Sequence, residues 1–596
     1  MQLAVLLIAL SAGMPAQDTL ASSAITAERS VIIARKDTVI NSSSLDMGDL
    51  LRYVPGLYNG DNGGLASLKT VSFRGLGSAH TTVYLDGVRV GNVQSGQSDL
   101  GMIPIDEVGK VIVDYAQNSI TFRTVRPELQ DRKVGGRVSF NAGSFGTYLP
   151  SGHLDVRLSD RVVARLSLSG VFSKGDFPYG DGQKRDNNDI RQGRFGADLF
   201  GNVHLGDWQA KVLYNTSERG VPGSVSYPST DRQTDRNALA QFALSKTASD
   251  LYSMNLSAKF SYDDMLYAGS WGDDRYRQTE CQVNSAHRFR LSDMFTASLT
   301  ADLSWDGLKS TAYDASRFGA DAALGAAFKT GRFSADAAVT FCAALDAGAG
   351  KRAYVSPSLD LRFSALEWLD VVAFGRRAYR FPMFNELYYV GFGNPDLKPE
   401  DAWLADVGLD ARVGCGSGWS LSARIDGFYD YLKDKIVSAP TEADPNIWLP
   451  YNIGRTRILG ADLRIGSGYR TERWRASLTA AYTLQDATDV TPDSYSYGTQ
   501  IAYIPKHSVC LTADAGYGRW GLRAVWNLRA GRTDSYGEMP DWNTLDADLS
   551  RDFVLKGGQC ISLRIKLCNL TDRRYETVSY YPMPGRSITG GVGFKF

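Results

Sequence analysis

The residues able to do chemistry are spread through this 596-residue chain in a pattern that excludes most chemistry. Six cysteines, Cys281, Cys342, Cys415, Cys510, Cys560 and Cys568, show no C-x-x-C spacing and no histidine cluster, so they suggest neither a zinc site nor a disulfide framework. Five histidines, His80, His153, His204, His287 and His507, are equally dispersed, and neither G-x-S-x-G nor H-E-x-x-H accompanies them. No enzyme is expected. One stretch is dense in oxygen donors: SKGDFPYGDGQKRDNNDIRQG, from Ser173, carries Asp176, Asp181, Asp186 and Asp189 beside Asn187 and Asn188. Such a set suits calcium, which takes about six to eight oxygen ligands, although Lys184, Arg185 and Arg191 are interspersed and the spacing is not that of an EF-hand. The 65 basic residues balance 65 acidic ones, so no bulk charge points to nucleic acid.

The elements that must position such a loop follow from the pattern after residue 135, which is strict alternation. In FTASLTADLSWD, Phe295, Ala297, Leu299, Ala301, Leu303 and Trp305 share one face and polar residues the other. The period recurs in RVVARLSLSGVF from Arg161, MNLSAKFSY from Met254 and CISLRIKLC from Cys560, with brief turns and long polar loops between such segments. A soluble sandwich would carry large branched residues on its apolar face. Here that face is rich in Ala and Gly, and Arg, Lys and Asp lie deep inside strands, as a polar lumen requires. A propeller would repeat a motif every 40–50 residues or so, and none is seen. The expected fold is an all-β transmembrane barrel over residues 136–596, of about 22 antiparallel strands at roughly 20 residues per strand with its share of loop. The chain ends on an alternating stretch, GRSITGGVGFKF, which closure would pair with the first strand near Arg137.

Upstream, LAVLLIAL at Leu3–Leu10 is too short to span a bilayer and reads as the apolar part of a signal peptide over residues 1–16, although no Lys or Arg precedes it. Residues 31–135 do not alternate. SLDMGDLLRYVPG places Met47, Leu50, Leu51 and Val54 on one helical face, with serines upstream for capping and Pro55-Gly56 as a stop. LKTVSFRG, HTTVYLDGVRV and VGKVIVDYA follow as compact strands. The result is an α+β domain of a size to plug a wide barrel.

These stretches resemble the TonB-dependent outer-membrane receptors over nearly the whole chain. The plug signature is DLLRYVPGL from Asp49, VSFRGLGSAHTTVYLDGVRVGN from Val71 and SDLGMIPIDEVGKVIV from Ser98. RFPMFNELYYVGFGNPDLKPEDA from Arg380, PYNIGRTRILGADLRI from Pro450 and the terminal stretch from Lys566 are similar to the family's barrels. Within the family the marks are those of cobalamin receptors: the short length, DTLASSAITAERS from Asp18, ERGVPGSVSYPSTDRQTD from Glu218 and the closing NLTDRRYETVSYYPMPGRSITG. One segment departs. After VIVDYA the family has an Arg-Gly-Pro turn and Tyr-Gly, whereas this chain has QNSITFRTVRPELQDRKVGGRVSF, so that part of the plug is expected to be shortened or repacked.

The resemblance implies an importer in the outer membrane of a Gram-negative bacterium, in contact with its lipid, that captures a scarce ligand and releases it by work delivered through TonB. Asp18, Thr19, Leu20, Ile25 and Thr26, within residues 17–30, would form the coupling segment, an extended strand added to TonB's sheet through main-chain hydrogen bonds. Arg74 and Asp86 would be a charged pair holding the plug, residues 31–135, together in the lumen. Asn62, Gly63, Gly64 and Ser67 in one plug loop, and Asn92, Gln94, Ser95 and Gln97 in the next, would contact cobalamin or a related corrinoid, with an iron-siderophore or haem as the alternative. No cofactor is required. Calcium on Asp176, Asp181, Asp186 and Asp189 would order the outer loops, and a surface-exposed lipoprotein capping the barrel would be a further partner.

Overall fold

The computed structural model describes Val31–Ala34 and residues 46–596, except 53, 55, 106, 125, 130, 271, 415, 417, 442–447 and 535. The expected signal peptide, residues 1–16, and the coupling segment with Asp18, Thr19, Leu20, Ile25 and Thr26 lie outside the described residues.

A closed antiparallel barrel of 22 strands runs from Val134–Gly143 to Ser587–Lys595. The last strand pairs with Cys560–Cys568 on one side and with Val134–Gly143 on the other, Val592 standing opposite Phe140. Phe596 exchanges backbone hydrogen bonds with Gly136, at 3.0 and 3.2 Å, so the last strand is held by closure and the barrel sheet has both edges paired. Short turns such as Ser159 to Val162 mark the end that carries Val134 and Phe596; long connections such as Arg380 to Glu400 mark the opposite, outward end.

Burial in the wall runs inside out. In the strand Phe295–Ser310, Leu303 and Trp305 are 48% and 44% exposed on the outer surface, whereas Asp306 is 1% exposed inside. In water this would be unstable. Lipid removes the cost of the apolar face, and the filled lumen accepts the polar one.

The lumen holds the plug. Its sheet has the order Val31–Ala34, Val108–Asp114, Ser119–Thr124, Thr82–Leu85, Val88–Val90, parallel only between Ser119–Thr124 and Thr82–Leu85. The segment that departs from the family pattern therefore supplies the central strand, and its Ile120 and Phe122 are fully buried. HTTVYLDGVRV is not one strand but a hairpin, turning at Asp86-Gly87 with φ of 48° and 92°, the signature of a tight two-residue loop. A ribbon of Leu57–Asp61 with Lys69–Phe73 and the helix Met47–Leu51 complete the core, which gathers Met47, Leu50, Leu51, Phe73, Val111 and Phe122. The helix is capped by Asp46; the upstream serines lie outside the described residues. A capping oxygen must sit just before the first helical residue to reach the third amide, and the Asp46 carboxylate accepts from Asp49 N at 2.8 Å.

Candidate functional site: the lumen and its outward mouth

Arg74 and Asp86 both adopt positive φ, 44° and 48°, uncommon for residues with a side chain. They do not form the expected pair with each other. Arg74 Nη2 donates to Asp406 at 2.8 Å and Asp462 at 3.0 Å, on the barrel strands Glu400–Gly414 and Trp448–Arg470, and its guanidinium lies 3.9 Å from the centroid of the Phe428 ring. Asp86 accepts from Thr124 N and Oγ1, at 2.7 and 2.6 Å, and pairs with Lys211 of the barrel at 2.9 Å. The physical reason is that the wall presents a buried opposite charge to each, so both are neutralised across the plug–barrel boundary. Around Arg74 the seat is also apolar: Leu76 and Ala116 pack against Phe374, Leu404, Phe428 and Leu432.

A second flank is polar. In the returning strand of the Thr82–Val90 hairpin, Arg89 N donates to Gln282 Oε1 at 3.1 Å, Lys259 Nζ donates to Arg89 O at 2.6 Å, and Arg89 Nη2 lies 3.4 Å from Glu280 and 3.7 Å from Asp306. Beside Arg89 a cavity of about 600 Å³ lies between plug and wall.

Both candidate ligand loops are ordered turns beneath barrel loops. Around Asn62, Gly63, Gly64 and Ser67, the Asp61 carboxylate accepts from Gly63 N (2.9 Å), Ser67 Oγ (2.6 Å) and Lys69 Nζ (2.8 Å). A Cβ on Gly63 would meet Pro582 O at 2.6 Å and one on Gly64 would meet Asn188 Nδ2 at 2.9 Å, so this turn admits only glycine against the loops above it. In the second loop, Asn92 Oδ1 accepts from Gln94 N and Ser95 N, and Gln97 O accepts from Asn92 N. Arg219 of the barrel links the bases of the two loops, donating to Ala66 O and to Asp99 Oδ2 at 3.3 and 3.1 Å.

A short helix, Phe384–Tyr388, seats on the second loop: Phe384 N donates to Val93 O and Asn385 N to Gln94 O, leaving Gln94 buried. It is anchored by Arg380, which pairs with Glu386 and Glu400, and by Glu400, which in turn meets His80 of the plug. This cover went unnoticed in the sequence, although Phe384, Leu387 and Tyr388 in RFPMFNELYYV carry helical spacing.

The four aspartates of the acidic loop are not brought together, and among the described residues no group of three or more metal-ligating side chains occurs. Asp189 is held by Arg232 at 2.8 and 3.0 Å, Asp176 lies 3.8 Å from Lys184, Asp181 lies 3.8 Å from Arg574, and Asp186 is exposed. The hydrogen bonds from Arg232 hold the Asp189 carboxyl below the ordinary carboxylate range.

A closed strand cylinder, its lumen filled by a separately folded domain that charges seat against the wall, defines a gated outer-membrane transporter rather than an open pore. The chain belongs to the TonB-dependent receptor family: the family description "TonB dependent receptor-like, beta-barrel" matches residues 115–570, and "TonB-dependent Receptor Plug Domain" matches residues 23–124. It is thus a transporter of the Gram-negative outer membrane and not an enzyme. The vitamin B12 transporter BtuB of Vibrio vulnificus is 22% identical over 588 residues, covering 92% of this chain and 89% of that protein. BtuB of Photobacterium profundum is 21% identical over 595 residues, covering 95% and 92%. Among solved structures, the copper transporter OprC superposes with a TM-score of 0.78 at 15% identity over 96% of this chain and 100% of that one. The unliganded ferric citrate transporter FecA gives 0.77 at 15% identity over 98% and 99%. At these identities the structures establish the fold alone.

Proposed function

We propose that the protein imports cobalamin or a related corrinoid across the outer membrane, by tight capture at the outward mouth followed by TonB-driven rearrangement of the plug. The observation that carries this reading is the match, over more than nine-tenths of the chain, to relatives that are vitamin B12 transporters. The two polar plug loops support it: they stand at the base of the mouth, where backbone groups and small side chains suit a bulky amphipathic ligand. Asn62, Ser67, Asn92, Ser95 and Gln97 are the contact residues, reached when the loops above them part. Asp18, Thr19, Leu20, Ile25 and Thr26 form the strand that TonB grips.

Calorimetry on the detergent-purified protein tests the reading, with cyanocobalamin, with a ferric siderophore as control, and with and without calcium. Cyanocobalamin is expected to bind and the siderophore not. Binding of the siderophore alone would move the protein to iron uptake. A calcium requirement would assign Asp176, Asp181, Asp186 and Asp189 to a metal site formed on ligand capture.

A further inference from the structure

The cavity beside the plug extends through the lumen. Its wall is made by consecutive strands from Gly272–Arg290 to Leu369–Arg380, and its lining reaches from Asn92 and Met383 at the outward end to Thr296 and Asp336, which stand just after short turns at the opposite end. Ser298, Gly319, Gly325 and Ala338 keep this wall low, so that the plug and barrel do not close on each other there.

The charge on this lane is unusual for a sheet. Asp302 stands directly opposite Asp321 across one strand pair, and Asp336 directly opposite Asp360 across another, all four lining the cavity. Like charges in direct register destabilise a sheet, so packing alone does not account for them. Asp302 accepts from the neutral amides of Gln282 (2.7 Å) and Asn284 (3.1 Å). Further up, Asp306 is 1% exposed and lines the same cavity, and its Oδ1 has no hydrogen-bond partner among the described residues. Of the lane's cations, Arg89 lies 3.4 Å from Glu280 and 3.7 Å from Asp306, Arg376 faces Asp360 and donates to Ala116 O and Gln117 Oε1, Arg317 pairs with Asp346, and Arg380 pairs with Glu386 and Glu400.

We propose that this lane is the route by which cargo crosses the lumen, and that its carboxylates select neutral or cationic cargo over anionic cargo. The inference rests on the import reading and deepens it, because it separates an uncharged or cationic corrinoid from an anionic ferric chelate. Cargo larger than the cavity passes by displacing the Val88–Val90 strand, which Arg89 ties to this wall through Gln282 and Glu280, while Asp86 stays paired with Lys211.

The test needs no ligand, so its failure is distinct from failure of the corrinoid reading. In the full-length protein with its own cysteines replaced by alanine, Ser298→Cys or Thr340→Cys places a thiol in the lane. Thr483→Cys places one in the packed Arg74 seat, where Thr483 is 2% exposed and accepts from Gly56 N, and Ser226→Cys marks an exposed outward loop. Each is labelled with cationic and anionic methanethiosulfonates. The lane thiols should react at least tenfold faster than Thr483→Cys, and their cation-to-anion rate ratio, normalised to Ser226→Cys, should be roughly tenfold. Asp302→Asn with Asp321→Asn should bring that ratio toward one. Protection of both lane thiols, a normalised ratio of one or less, or a ratio that the double asparagine variant leaves unchanged would each overturn the proposal.

Discussion

On its Arg74 flank the plug meets the barrel through a buried ion cluster roofed by apolar side chains; on its Arg89 flank it meets a cavity across hydrogen bonds and a charge contact. The carboxylate partners are buried on both flanks, but Arg74 is 6% exposed whereas the Arg89 side chain is 40% exposed. The difference decides where work can open the plug. Separating a desolvated ion cluster leaves charges stranded in a poor dielectric, while contacts beside water exchange partners at little cost. One flank is a seat and the other a door.

The sharpest way to break this comparison is Arg74→Met, which strands Asp406 and Asp462. It should cost about 3–5 kcal/mol of plug seating, the range for removing one partner of a buried ion pair. Protease cleavage within the plug and entry of bulky antibiotics into cells would report it, and adding Asp406→Asn with Asp462→Asn should recover most of the loss. Next in size, Leu432→Ala removes a side chain 1% exposed in the apolar part of the seat and should cost about 2–3 kcal/mol, read by the same protease assay. Arg89→Ala should cost less than Arg74→Met, because Glu280 keeps Lys259 at 2.6 Å and the Arg89 side chain approaches Asp306 only to 3.7 Å, while thiol labelling in the lane becomes faster. An Arg89→Ala loss as large as that of Arg74→Met would show that both flanks are seats.

The parts of this architecture that were legible in the sequence are those governed by local period. Alternation from Phe295 to Asp306 gave the wall and its inside-out burial, and alternation in the last stretch, GRSITGGVGFKF, gave the closure, because a strand's two faces are written two residues apart. The helix at Met47 was readable for the same reason. Partners were not. Arg74 finds its carboxylates 332 and 388 residues away, and no local pattern distinguishes Asp406 from the other inward carboxylates of neighbouring strands. The acidic loop was legible as composition, yet its chemistry is set by Arg232, which belongs to a different strand. The lane escaped notice because it arises where small inward residues of several strands coincide, which appears only once their register is known.

The smallest expected effect extends the comparison to the outward cover, where the Ser173–Gly193 loop lies over the Gly63-Gly64 turn through Asn188 and Phe177. This cover is a clasp of the wet kind, tied by the two hydrogen bonds from Arg232 to Asp189. The folded carboxyl is depressed below its unfolded value of about 3.9, so the tie contributes at neutral pH and is lost only as pH falls through the lower, folded value. At a partly exposed site it is worth no more than about 1 kcal/mol. Pepsin cleavage within this loop should therefore be slow at pH 4 and rise steeply below it. Arg232→Gln should already be cleaved readily at pH 4, and the two proteins should converge once the pH is low enough to protonate the carboxyl in both. Equal cleavage at pH 4 would mean that the loop is ordered by its packing on the plug rather than by charge, and the cover would then belong with the Arg74 seat.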